Sequence, residues 1–90
     1  MRTQKAFVLI KAQSGHEKSV AENLMKLSEA REVHIVPGEW DILLVLEAER
    51  EIALPTNEKV LDVVMEKIGK LSHVVDTSTL IPSFSRFKKQ

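Results

Sequence analysis

Residues 33–47 read VHIVPGEWDILLVLE, and this stretch decides how the chain folds. Val33 to Pro37 is a short run of β-branched residues, and Asp41 to Glu47 is a second apolar run. Both have strand composition. Between them Gly38 and Glu39 form a tight connection, because glycine accepts the positive φ that such a turn demands. Trp40 and Asp41 then begin the returning strand. The segment therefore reads as a β-hairpin, the second and third strands of the chain.

Upstream, Lys5 to Ala12 (KAFVLIKA) has the composition of another strand. Ser14, with Glu17 three residues later, resembles a capping box that opens a helix. That helix is expected to run to about Ser28, with Val20, Leu24 and Leu27 on one apolar stripe. Downstream, Ala48 to Thr56 is a polar loop holding Pro55. Thr56 or Asn57 can cap a second helix reaching about Leu71. Leu61, Val64, Ile68 and Leu71 form its expected apolar face. Val74 to Ile81 is the last strand, and Pro82 ends its ladder. Lys26-Leu27-Ser28 and Lys70-Leu71-Ser72 end the two helices alike, a faint internal repeat.

The order strand, helix, strand, strand, helix, strand predicts an α+β, ferredoxin-like βαββαβ fold. Its four-stranded antiparallel sheet carries both helices on one face. One domain is expected over residues 1–90, with a core of about 5–82 and a tail over 83–90. Phe7 to Ile10 and Ile42 to Leu46 are apolar without alternation, as in strands buried on both sides. Two helices cover one side only. A bare apolar face of that size is unusual on a monomer. A second copy packed sheet to sheet, giving a dimeric α+β barrel, is the expected cover. The alternative is an edge-on arrangement with the loop folded over the sheet.

Composition narrows the function. With 90 residues, 13 basic and 13 acidic side chains and no cysteine, the chain is small, balanced and free of disulfides. A domain of this size buries only roughly 60% of its unfolded surface, which again favours partner chains. The balanced charge speaks against direct nucleic-acid binding. Arg86, Lys88 and Lys89 read as a solvated, frayed terminus. There is no apolar run long enough to span a membrane and no signal-peptide core, so a cytoplasmic protein is expected.

The chemistry is sparse. His16, His34 and His73 fit no metal-ligand spacing, and no cofactor motif is present. His34 has no nucleophile or paired carboxylate beside it in sequence, and His16 reads as a surface residue. Ser14 and Gly15 are a helix start, whose free amides also suit an anion. Gly38, Trp40 and Asp41 form the most suggestive cluster. They read either as a packed turn or as a site where Asp41 holds an ammonium group through charge-assisted hydrogen bonds. Thr77 and Thr79 share one strand face and can line a small polar pocket or serve as ordinary β-formers.

The segment VHIVPGEWDILLVLEAE, Val33 to Glu49, resembles the signature of the ligand-binding (RAM) domain of the Lrp/AsnC regulators. Gly38, Trp40 and Asp41 match its glycine, aromatic and aspartate in order. The opening strand with Gly15, and HVVDTSTLI from His73 to Ile81, match its two ends. The similarity covers about Ala6 to Ile81. It implies a non-catalytic module that dimerises through its sheets and assembles into a ring of dimers. It also implies that a free amino acid binds between dimers. The implied ligand contacts are Gly38, Glu39, Trp40 and Asp41, with Thr77 and Thr79 from the last strand and Gly15 near the pocket rim. No catalytic residue, cofactor or metal is implied. The chain starts at its first strand, so the expectation is a stand-alone module without a helix-turn-helix domain that co-assembles with full-length relatives. The loop from Glu49 to Asn57 looks longer than the family's. Two other readings stay open. One is a small enzyme of the dimeric α+β barrel type, with His34 or Asp41 as base. The other is a ligand-free assembly module.

Overall fold

A computed structural model of the chain describes residues 3–49 and 58–88. The elements in chain order are β1 (Thr3–Ala12), α1 (Glu17–Met25), β2 (Ala30–Ile35), β3 (Ile42–Glu49), α2 (Glu58–Val63) and β4 (Val74–Leu80). The four strands form one antiparallel sheet in the order β2-β3-β1-β4. Each strand–helix–strand unit thus straddles a strand of the other half, which is the ferredoxin-like arrangement the hairpin predicts.

The register explains why the central strands are apolar on both sides. Ala6, Val8 and Ile10 stand opposite Leu46, Leu44 and Ile42. These six, with Val20 and Leu24 of α1 and Val60 and Val63 of α2, form a core beneath the helices. Each fully buried branched side chain there contributes roughly 1.5–3 kcal/mol. On the opposite side Phe7 and Leu9 pair with Val45 and Leu43. Leu80 of β4 lies across from Phe7. No helix of the described residues covers this second face, yet it is apolar at its centre.

Several local expectations shift. Ser14 is not the cap of α1. His16 holds the N-cap position without a side-chain cap bond, and Glu17 reaches back only to the Gly15 amide, 3.1 Å away. The helix ends at Met25, short of Ser28. β2 starts at Ala30 and stops at Ile35, so Val36 and Pro37 belong to the connection. That connection is wider than a two-residue turn. It spans residues 36–41, closed by the Val36 amide donating to the Asp41 carbonyl at 2.9 Å. Trp40 and Asp41 precede β3 rather than starting it.

Val64 and Ile68 of the expected apolar face are buried and Leu71 packs against the core, but the first turn of α2 differs. Val60, Val63, Val64 and Ile68 are buried, whereas Leu61 is 46% exposed. After Val63 the helix continues as a π-helical segment, Val64–Ile68, closed by the Gly69 amide on the Val64 carbonyl at 2.8 Å. The cap expected at Thr56 or Asn57 lies outside the described residues. The described part of the tail is exposed over residues 83–88. It runs back toward the start of β1, where the Lys5 ammonium lies 4.7 Å from the centre of the Phe87 ring.

Candidate functional site

The end of β1, the β2–β3 connection and the start of α1 meet at one corner of the sheet, and Asp41 joins them. Its amide donates to the Ile10 carbonyl at 3.1 Å, and its carbonyl accepts from Val36. Its side-chain Oδ2 accepts the Ala12 amide at 2.9 Å. Ala12 is the last residue of β1, where the β3 ladder has already ended at the Ile10–Ile42 pair. The carboxylate therefore continues the ladder by one bond, satisfying an amide the sheet would leave open. Oδ1, the other carboxylate oxygen, has no hydrogen-bond partner among the described residues.

Beside this carboxylate lies a cleft of about 330 Å³ lined by Glu17, Lys18, Ile35, Val36, Pro37 and Asp41. That volume is at the small end of the roughly 300–1,000 Å³ typical of ligand sites. Its walls combine two carboxylates, one ammonium and the apolar faces of Ile35 and Pro37. Such walls can pair with charged groups of either sign.

The residues singled out from sequence divide into groups. Asp41 lines the cleft. Gly38 and Glu39 are exposed in the connection just beyond Pro37, and Trp40 is half-buried there. Gly38 has φ of +146°, in the region that favours glycine. Gly15 sits at the start of α1 with φ of +86°, its amide occupied by Glu17. Thr77 and Thr79 are half-buried on the helix side of β4, opposite Ile10 and Val8. β1 separates them from β3, a gap of about 9–10 Å at the usual strand spacing. Within one chain they do not share the Asp41 cleft.

Glu17 and Lys18 were missed by sequence reasoning. Glu17 read only as half of a capping box and Lys18 lies off the Val20–Leu24–Leu27 stripe, and only the docking of α1 against β2 brings them to Asp41. His34 does have a carboxylate partner: its Nε2 lies 3.0 Å from Glu32 Oε1. Residues two apart share a strand face, so the spacing itself carried that signal. The pair is exposed on the edge strand. Among the described residues no group of three or more metal-ligating side chains converges, and no helix is long and apolar enough to cross a membrane.

Comparison with known proteins agrees with this architecture. The family model of the Lrp/AsnC ligand binding domain matches residues 5–90. An uncharacterised HTH-type transcriptional regulator of Pyrococcus furiosus is 41% identical over 88 residues, which cover 94% of this chain and 54% of that protein. The chain spans about half the length of the curated relatives it matches. Among solved structures, TTHA0845 from Thermus thermophilus superposes with a TM-score of 0.75 at 28% identity, over 96% of this chain and 99% of that one. The Neisseria meningitidis transcriptional regulator NMB0573, solved as an L-Met complex, gives a TM-score of 0.75 at 16% identity, over 96% of this chain and 53% of that one. The second likeness is one of fold.

Proposed function

The chain belongs to the Lrp/AsnC ligand-binding domain family, and from that premise we propose that it is an oligomeric, non-catalytic sensor of a free amino acid. The observation that carries the reading is the corner cleft. Asp41 commits one carboxylate oxygen to the Ala12 amide and keeps the other for a ligand ammonium. Lys18 supplies the cation for the ligand carboxylate, and Ile35 and Pro37 flank the side chain. The amino acid named in the Neisseria structure makes methionine the first ligand to try.

The oligomer follows from the second face of the sheet. Half-buried Phe7, Leu9 and Leu43 and exposed Leu80 lie there around an already buried Val45, and two such faces packed against each other bury the rest of them. Thr77, Thr79 and the Gly38–Trp40 turn contribute contacts where dimers meet. A bound amino acid then favours one assembly over another by as much as its affinity for the two differs. Co-assembly with larger relatives of the same family would place the module in transcription regulation.

Amide chemical-shift mapping on the whole chain tests this reading. Addition of methionine, then of the other amino acids, is expected to perturb residues 15–18 and 36–41 selectively. Perturbations confined instead to the His34–Glu32 strand face would favour the enzyme reading.

A further inference from the structure

His16 and His73 stack face to face, with ring centres 3.6 Å apart and planes 10° from parallel. The two rings come from connections far apart in sequence: His16 from the β1–α1 connection, His73 from the one between the π-helical segment and β4. Parallel stacking rules out a shared metal ion, because an imidazole nitrogen binds a metal in the plane of its ring and these planes never converge. The contact is a joint between two loops.

The backbone is built around that joint. His73 is the one non-glycine residue with positive φ among the described residues, at +70°. A side chain in that conformation is held there by its surroundings. The Gln13 amide donates to the His73 carbonyl at 2.8 Å, and the His73 Nδ1–H donates to Gln13 Oε1 at 2.7 Å. His16 in turn donates its own amide to the Gln13 carbonyl at 2.9 Å. Gln13, His16 and His73 thus form a closed loop of contacts. Glu17, the residue after His16, lines the Asp41 cleft.

We propose that His16 and His73 are positioning residues for the effector cleft: a latch that sets its rim and releases it when both imidazoles carry protons. This rests on the cleft being the effector site. Imidazole is the side chain that changes charge across the physiological range. Two stacked imidazolium rings repel. His16 also occupies the N-cap of α1, where the helix dipole disfavours a cation. The charged groups on the surrounding elements are Glu17 and Lys18 of α1, Lys11 of β1, Asp41 beside β3, Lys70 before β4 and Asp76 of β4. Glu17 faces the Gly15 amide, Asp41 the Ala12 amide and Asp76 the Thr77 amide. None of these groups hydrogen-bonds or ion-pairs with either ring, so nothing bonded to the stack neutralises a second proton.

The test is amide hydrogen exchange of residues 13–20 in the whole chain, each rate taken relative to the intrinsic base-catalysed rate at the same pH, from about pH 8 to about pH 5, the interval in which imidazole changes charge. The affinity of any amino acid found to bind is measured in parallel. At the high end His16→Ala is expected to speed exchange at Gly15–Glu17 by about three- to tenfold, the range an aromatic pair supports. It removes no cap bond, since His16 makes none. Protection in the wild type is expected to drop to the His16→Ala level as pH falls. His16→Phe keeps a flat ring in the stack and is expected to restore slow exchange and flatten the pH profile. His73→Gly relieves the backbone but loses the ring, and is expected to behave as His16→Ala. Equal exchange in wild type and His16→Ala, or a pH profile that persists unchanged in His16→Phe, overturns the latch. Exchange is read without ligand, so failure of the amino-acid reading leaves this test intact.

Discussion

Asp41 Oδ2 accepts the Ala12 amide at 2.9 Å, across 29 positions of sequence. One carboxylate therefore closes the sheet and faces the cleft. The two roles separate by substitution. Asp41→Ala leaves the Ala12 amide unpaired and is expected to destabilise the fold by about 1–3 kcal/mol in chemical denaturation. Asp41→Asn keeps an oxygen for that amide but removes the charge. It is expected to unfold near the wild-type midpoint while losing amino-acid binding.

Gly38→Ala tests the connection. At φ of +146° an alanine is strained, but a Cβ there would meet nothing within 4 Å. The cost is conformational rather than steric, about 1–2 kcal/mol. Thermal unfolding is expected to show a lower midpoint with an unchanged fold by circular dichroism.

The open sheet face predicts a change of mass. Leu9 and Leu43 pair at its centre, and Leu9→Asp puts a charge where two copies would meet. Light scattering is expected to report a shift from oligomer to monomer. The core beneath is a contrast: Leu44→Ala, on the helix side, is expected to cost about 2–5 kcal/mol in stability, with the oligomer retained while it stays folded.

Glu29 predicts a pH dependence. Burial pushes its carboxyl pKa up, but the Lys67 hydrogen bond, backbone and Ser28 hydrogen bonds and the Lys67 charge outweigh it, so the value is lowered. The Glu29–Lys67 contact is 2.7 Å and ties the α1–β2 turn to the π-helical segment. A lowered folded-state pKa gives stability that is present above the unfolded pKa and lost as pH falls through the folded one. Glu29→Gln is expected to be less stable than wild type at neutral pH, by about 1 kcal/mol. The difference is expected to vanish in acid, as followed by denaturation at several pH values.

The element order was legible in the sequence because Gly38 and the two-sided apolar runs leave few alternatives. The boundaries were not. Ser14 and Glu17 have capping-box spacing, but the loop turns Glu17 to Gly15, and His16 takes the cap position. Leu61 lay on a plausible stripe with Val64 and Ile68, yet its neighbours Val60 and Val63 take the buried positions of that turn. Asp41 was identifiable from its place after Gly38 and Trp40. Glu17 and Lys18 were not, because their approach to Asp41 depends on how α1 docks, which no local pattern encodes. Thr77 and Thr79 share a face, as strand alternation requires, yet β1 stands between them and the cleft.

The most direct measurement is a thermal-shift panel of the twenty amino acids on wild type and Asp41→Asn, with native mass followed by light scattering. A ligand at ~100 times its Kd stabilises a folded protein by about 2.7 kcal/mol. The account predicts a raised melting temperature for a small set of amino acids, absent in Asp41→Asn and accompanied by a change in assembly. A stable oligomer whose melting temperature ignores every amino acid would contradict it and leave an assembly module with an empty cleft.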